Sequence, residues 1–302
     1  MDASCFDRCS PHGQKLLLSV FWDSPVMLFW ELLDDHQTVN AEAYVNQLQK
    51  LANAVKEKRP KRLEVSLLHD NARPHTAKMS CKFLDELAFI SSYRELTVIL
   101  VDYALVASMD YATAMNAVPF VADDIIALII QLEAANKIDR SLVHIVGFDI
   151  GAHIAGLVSR DSRARVQRIT GLSPAGENWD SFSRRLRATD ANYVEVIHTD
   201  YTGSRAFGIS ETIGTVDIFA NTGTSQPGCS NNQCNHDRAW QLFGATLDMG
   251  GHLVGLRCDS LTDMTRNRCV GAPAVSLGTN DLFKLGTGIY RVNTGRAYPY
   301  NS

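Results

Sequence analysis

The 302-residue chain reads as an α/β protein built on a largely parallel sheet. Three observations predict this. Short apolar runs at 96–101, 142–146, 166–172, 193–199 and 214–219 have the length and composition of buried strands. They alternate with segments of helical character, of which 112–137 is the longest, with Pro119 near its start, and 180–188 is a shorter one. Third, Val143-His-Ile-Val-Gly-Phe-Asp-Ile-Gly-Ala-His-Ile-Ala-Gly156 compresses a strand, a tight turn and a helix into one stretch.

That stretch carries the chemistry. Gly147 and Gly151 bracket Asp149 as G-x-D-x-G. In the G-x-S-x-G form of this turn, a nucleophile elbow, the glycines permit a strained bend that pushes one side chain out over the sheet edge toward substrate. Small Ala152, Ala155 and Gly156 let the following helix pack close to the strand. The context is that of a hydrolase elbow, but the residue at its tip is a carboxylate. Taken alone, G-x-D-x-G is a weak signal that more often marks a structural turn.

Composition sets the outer limits. A hydrophobic content of 45% with mixed charges describes a globular chain able to bury a core. A net charge of −4 gives no general reason to expect nucleic-acid binding, and the cluster Lys56-Glu-Lys-Arg-Pro-Lys-Arg62 reads as a solvated helix end. The apolar run 16–21 is flanked by Asp2, Asp7 and Asp23 and is too short for a secretory core, so neither a signal peptide nor a transmembrane segment is expected.

From about 96 to 300 the sequence resembles the pancreatic-lipase family, and within it the short insect members such as phospholipases A1 and lipase-like yolk proteins. The matching pieces run in family order: Leu96-Thr-Val-Ile-Leu-Val-Asp-Tyr103, the elbow, Ile169-Thr-Gly-Leu-Ser-Pro-Ala-Gly176, Tyr193-Val-Glu-Val-Ile-His-Thr199, Gly214-Thr-Val-Asp-Ile-Phe-Ala-Asn221, Gln226-Pro-Gly-Cys-Ser-Asn-Asn-Gln-Cys-Asn-His-Asp-Arg-Ala239, and a closing run 282–300 with Gly286, Gly288 and Gly295. The resemblance implies an α/β-hydrolase sheet and a carboxylic-ester hydrolase ancestry.

Carried over residue by residue, the triad falls on Asp149 for the nucleophile, Ser173 for the acid and His236 for the base. Only the histidine is of the family's type. In a triad the base takes the hydroxyl proton while a carboxylate fixes the imidazole tautomer and stabilises its charged form. Ser173 can accept a hydrogen bond from His236 but brings no charge. Losing the nucleophile costs on the order of a million-fold in turnover, and losing the acid on the order of ten thousand-fold. Serine-type ester hydrolysis is therefore expected to be absent.

The oxyanion hole of this fold takes one backbone N–H from the residue after the nucleophile, here Ile150, and another from a loop after an earlier strand. No such strand is read ahead of Leu96, so the sheet is expected to be truncated at that edge. The resemblance pairs Cys229 with Cys234 and Cys258 with Cys269 as disulfides and implies an extracellular setting. Only Ser230-Asn-Asn-Gln233 lies between the first pair, where large lipases carry a lid, so no amphipathic interfacial helix fits there. A zinc site at Cys229, Cys234 and His236 has atypical spacing and no fourth ligand; neither metal nor cofactor is expected.

Residues 13–87 resemble a different family, the catalytic domain of mariner-type transposases. The carrying motifs are Lys15-Leu-Leu-Leu-Ser-Val-Phe-Trp-Asp23, Phe29-Trp-Glu-Leu-Leu33, Gln37-Thr-Val-Asn-Ala-Glu-Ala-Tyr44, Lys58-Arg-Pro60 and Leu68-His-Asp-Asn-Ala-Arg-Pro-His-Thr76. They imply a partial ribonuclease-H-like fragment in which Asp70 is the second of three carboxylates that clamp two metal ions. The first would lie upstream of residue 1 and the third falls on Leu105, within lipase-like sequence, so Asp70 reads as a relic.

The expected organisation is thus 1–90 transposase-like and 96–302 lipase-like, with the seam between. The leading expectation is a lipase-family homologue, phospholipase A1-like in branch, that is catalytically silent; lipid or phospholipid is the partner the resemblance implies. One alternative is a hydrolase that uses Asp149 itself as nucleophile with His236 as base, as epoxide hydrolases and haloalkane dehalogenases do. A second is nucleic-acid binding by the transposase remnant, which salt-dependent DNA affinity would reveal. The sequence sets no oligomeric state.

Overall fold

The computed structural model describes residues 18–23, 26–32, 65–69, 97–101, 103–107, 109–179, 184–203, 205–247 and 253–301. Asp70 lies outside them. Strands β1 (Leu18–Asp23) and β2 (Val26–Leu32) form an antiparallel pair of their own. Among the described residues the second sheet has nine strands in the order β10-β9-β11-β8-β7-β6-β5-β3-β4. Its members are β3 (Val65–His69), β4 (Thr97–Val101), β5 (Val143–Phe148), β6 (Arg168–Leu172), β7 (Tyr193–His198), β8 (Val216–Ala220), β9 (Val254–Cys258), β10 (Gly271–Ser276) and β11 (Gly288–Val292). From β4 through β8 to β11 all neighbours pair in parallel, and β9 and β10 extend that edge antiparallel.

The reading that no strand ahead of Leu96 joins this sheet is corrected by β3. It lies between β4 and β5 and pairs in parallel with both, Leu67 opposite Ile99 on one side and Ile145 on the other. An apolar run of this kind satisfies the backbone groups of two neighbours at once, so β4 and β5 present no bare edges to each other's side of the sheet. The strand comes from the stretch that resembles a transposase.

Among the described residues five α-helices connect or flank the strands: α1 (Ala104–Ala107), α2 (Tyr111–Ala134), α3 (Ile150–Arg160), α4 (Asn232–Leu247) and α5 (Leu261–Thr265). Asp110 caps α2 by accepting from the Thr113 N–H at 3.0 Å. Among the described residues α2 alone is long and apolar enough to cross a bilayer. Its Val118, Ala122, Ile125, Leu128, Ile129 and Leu132 are instead buried in one cluster with Val143 and Ile145 of β5 and Ile154 of α3. Each of the valine, leucine and isoleucine side chains removed from water is worth about 1.5–3 kcal/mol.

The helix expected at 180–188 is not formed over 184–188. Its backbone donors go elsewhere: Leu186 N–H to His153 Nδ1 at 3.1 Å and Arg187 N–H to Asp190 Oδ2 at 2.9 Å. Side-chain acceptors of this kind compete directly with a helical ladder.

Parallel register decides where the functional residues meet. Phe148 stands opposite Leu172, and Leu172 opposite Ile197. The residues that follow, Asp149, Ser173 and the 198–200 segment, therefore leave the sheet side by side at its carboxyl edge, the edge at which open α/β sheets bind ligands.

Candidate functional site

Asp149 sits between β5 and α3 with φ 55° and ψ −122°. A non-glycine residue in this region stores about 1–3 kcal/mol of strain, and the neighbouring contacts show what holds it. Asp149 N–H donates to Leu172 O at 3.1 Å, and its carbonyl accepts from Ala152 and Ala175 N–H at 3.2 Å each. The bend needs Gly147, because a Cβ there would stand 2.3 Å from the Gly151 carbonyl oxygen. The strained elbow is thus built in full around an aspartate.

Beneath it lies a histidine that the sequence reading passed over. His153 is fully buried on α3, stacked on Trp179 at 4.0 Å. Its Nδ1 accepts from Leu186 N–H, so its Nε2 carries the proton and donates to Ala175 O at 2.8 Å. Burial pushes its pKa down to about 4. A neutral imidazole is therefore a structural tie between α3, the segment after β6 and residue 186.

His236 comes from α4, which starts at Asn232 inside the loop closed by Cys229 and Cys234. Its Nε2 is 3.2 Å from Asp149 Oδ1, and its ring lies between Phe148 at 4.8 Å and Phe207 at 5.5 Å. The structure thus brings together the two residues placed at the nucleophile and base positions. Ser173 arrives at the same edge, at φ 40° and with its N–H bonded to Ile197 O, yet among the described residues neither Ser173 Oγ nor His236 Nδ1 has a hydrogen-bond partner. The hydrogen bond that Ser173 could accept from His236 is not made. Ser173 keeps its turn but cannot fix the imidazole.

A carboxylate from the next strand faces that open nitrogen. Asp200, two residues beyond β7 and 2% exposed, places Oδ2 3.9 Å from His236 Nδ1. The same Oδ2 accepts from Phe207 N–H at 2.9 Å, and burial raises the pKa of this carboxyl from its ordinary value. Sequence reasoning missed it, although an acidic residue just past the end of a parallel strand, in His198-Thr-Asp-Tyr201, is the available signal. Asp237, beside His236 on the helix, is also raised by burial, and its Oδ1 accepts from Gln233 Nε2 at 2.8 Å.

Ile150, the first residue of α3, contributes a backbone N–H from the helix terminus, where such donors lack intrahelical partners. The chain after β3, where this fold keeps its second oxyanion donor, begins at residue 70 and lies outside the described residues. Cys229 is bonded to Cys234 and Cys258 to Cys269. Being bonded to each other, Cys229 and Cys234 are not thiolate ligands for a metal.

A family model described as lipase matches residues 73–284, and one described as transposase (partial DDE domain) matches 3–65. Hepatic triacylglycerol lipase of Mus musculus is 32% identical over 197 residues, 57% of this chain and 38% of that protein. Lipase member H-B of Xenopus laevis is 35% identical over 62% of this chain and 41% of its own length. Pancreatic triacylglycerol lipase of Equus caballus is 30% identical over 63% and 50%, respectively. The chain thus spans two-fifths to half the length of these relatives. Among solved structures, an alpha/beta hydrolase from a Medee basin deep-sea metagenome library aligns with a TM-score of 0.32 at 12% identity, covering 66% of this chain and 74% of that one.

Proposed function

This chain belongs to the lipase family, and we propose that it is a member that has lost serine-type ester hydrolysis while keeping the frame of the site. One observation carries this reading: the tip of the strained elbow is Asp149, whose carboxylate lies against His236 Nε2 at 3.2 Å. A carboxylate there has no proton for the imidazole to take and is already satisfied by it, so the acyl-enzyme route has no starting point. The remaining capacity is to hold a lipid at the carboxyl edge of the sheet. The short stretch between Cys229 and Cys234 favours phospholipid-type ligands over an interface-activated triglyceride mode, because no lid helix fits in it. Two disulfides in the lipase-like part favour an extracellular setting.

The test is turnover of a phospholipid and of p-nitrophenyl butyrate by the purified chain, beside His236→Ala. The expected result is no ester hydrolysis by either. Turnover in the parent chain that disappears in His236→Ala sinks the proposal.

The 3.2 Å approach of Asp149 to His236 also favours a second reading. The Asp149 carboxylate attacks a saturated carbon, forming a C–O ester bond as the C–X or epoxide C–O bond breaks and the leaving group departs with the electron pair. Water, deprotonated by His236, then attacks the ester carbonyl, restores the carboxylate and releases the alcohol. Incubation with an epoxide and an alkyl halide checks it: a mass increment on Asp149 in His236→Ala supports the route, and an unmodified Asp149 with no product removes it.

A further inference from the structure

Beside the elbow two buried polar atoms lack partners among the described residues, His236 Nδ1 and Ser173 Oγ. An imidazole acts as a directed base only when Nδ1–H is held by an acceptor, since that fixes both tautomer and ring orientation. Position 173, where the family resemblance puts the acceptor, carries a hydroxyl that does not engage it. The carboxylate that faces Nδ1 belongs to a different strand.

We propose that Asp200, after β7, is the positioning carboxylate of His236, in place of the residue at 173. This rests on the reading that His236 is the base of the site. Asp200 is held for the task from two sides. Its Oδ2 accepts from Phe207 N–H at 2.9 Å, and its carbonyl accepts from Gly208 N–H at 3.0 Å. The loop between these residues is laced to the segment after β6, with Ala175 bridging Gly208 and Ile209 N–H donating to Pro174 O at 2.7 Å. A Cβ at Gly208 would meet Asp200 O at 2.5 Å and Ser173 Oγ at 3.0 Å, so the loops after β6 and β7 are packed together. In that packing Ser173 occupies space and Asp200 supplies charge.

The three carboxylates around His236 divide by geometry. Asp149 meets Nε2, Asp237 accepts from Gln233, and among the described residues Asp200 is the carboxylate placed toward Nδ1. Its 3.9 Å separation closes to a hydrogen bond with a movement of about 1 Å, and unliganded sites of this kind commonly hold such contacts long. In a chain given a serine nucleophile, His236 Nε2 takes the hydroxyl proton as Oγ bonds to the ester carbon, and Asp200 holds Nδ1–H without taking it.

The experiment uses the full chain with p-nitrophenyl butyrate as substrate. Asp149→Ser alone is expected to hydrolyse it without any change at 173. Adding Asp200→Asn should lower kcat about ten-thousand-fold with KM little changed, and Ser173→Asp added to that pair should restore much of the loss. Equal activity in Asp149→Ser with and without Asp200→Asn, or activity that appears only with Ser173→Asp, overturns the proposal. A second readout needs no turnover: ¹⁵N spectra of the histidine-labelled parent chain, with His236 assigned by His236→Gln. The proposal expects Asp200→Asn to shift the His236 Nδ1 resonance and its tautomer ratio and Ser173→Ala to leave both in place; the reverse pattern overturns it. Ester hydrolysis by the parent itself would instead count against the proposed loss of function and leave these comparisons intact.

Discussion

The two ends of β6 and β7 treat buried charge in opposite ways. Near the start of these strands Arg168 and Glu195, both fully buried, form an ion pair that Lys284 joins at 2.6 Å through Glu195 Oε1. Carbonyls of Gly278, Thr279 and Asp281 take further Arg168 donors, and Lys284 also reaches the carbonyls of Ser276 and Gly278. At the carboxyl end, the same strands deliver Ser173 and the 200 segment to a histidine whose Nδ1 is left open. One end pairs its charges and ties the 276–284 segment to the sheet, with only Arg168 Nε of that network lacking a partner among the described residues. The other keeps the strained frame of a catalytic site with a key contact unmade. Buried charges must be compensated or the fold suffers, whereas a missing catalytic contact costs the fold little, so the two ends can drift independently.

The largest effect is expected from breaking the ion-paired end. Glu195→Ala leaves Arg168 and Lys284 uncompensated in the core, and should lower stability by about 3–5 kcal/mol in urea unfolding; a loss under about 1 kcal/mol would mean the network is not the clamp described here. Next comes pH. The folded value of His153 near 4 lies below its ordinary 6.5. Between these values the unfolded chain binds a proton that the native chain refuses. Stability is therefore complete above pH 6.5 and falls as pH drops toward 4, by about 3 kcal/mol for this group. His144, also pushed down by burial, acts in the same direction. Urea midpoints measured from pH 7 to 4.5 should decline, with a shallower decline in His153→Gln.

Opening Cys258–Cys269 by a double Ser substitution releases a loop with a sequence separation of 11 and should cost about 2–3 kcal/mol, read as a lowered Tm. The smallest effect belongs to the unsaturated end. Ser173→Ala removes a buried hydroxyl that has no partner among the described residues, and should change stability by under about 0.5 kcal/mol or raise it slightly. A loss above 1 kcal/mol would show that Ser173 Oγ is bonded after all.

What the sequence disclosed follows the range of the interactions. The β5 strand, the elbow and α3 were legible because Gly147 and Gly151 write a local bend within five positions, and the disulfides followed from the family resemblance. The helix expected at 180–188 failed because Leu186 and Arg187 give their backbone donors to His153 and Asp190, partners that a local pattern does not display. The place of β3 was hidden for a different reason. Val65-Ser-Leu-Leu-His69 belongs to the stretch that resembles a transposase, and nothing in its composition says that it pairs with β4 and β5. Within the site, Asp149 was legible from its glycine-bracketed turn and His236 from the family resemblance, while Asp200 became visible only when parallel register set the ends of β5, β6 and β7 side by side. Arg168, Glu195 and Lys284 meet across separations of 27 and 89 residues and carry no local signature.

The central claim is that Asp149 silences a site whose frame is otherwise in place. The most direct test is hydrolysis of p-nitrophenyl butyrate by the parent chain and by Asp149→Ser combined with Ser173→Asp, which restores both family residues around His236. The account predicts a silent parent and an active double variant. An active parent, or a correctly folded double variant that stays silent, would contradict it.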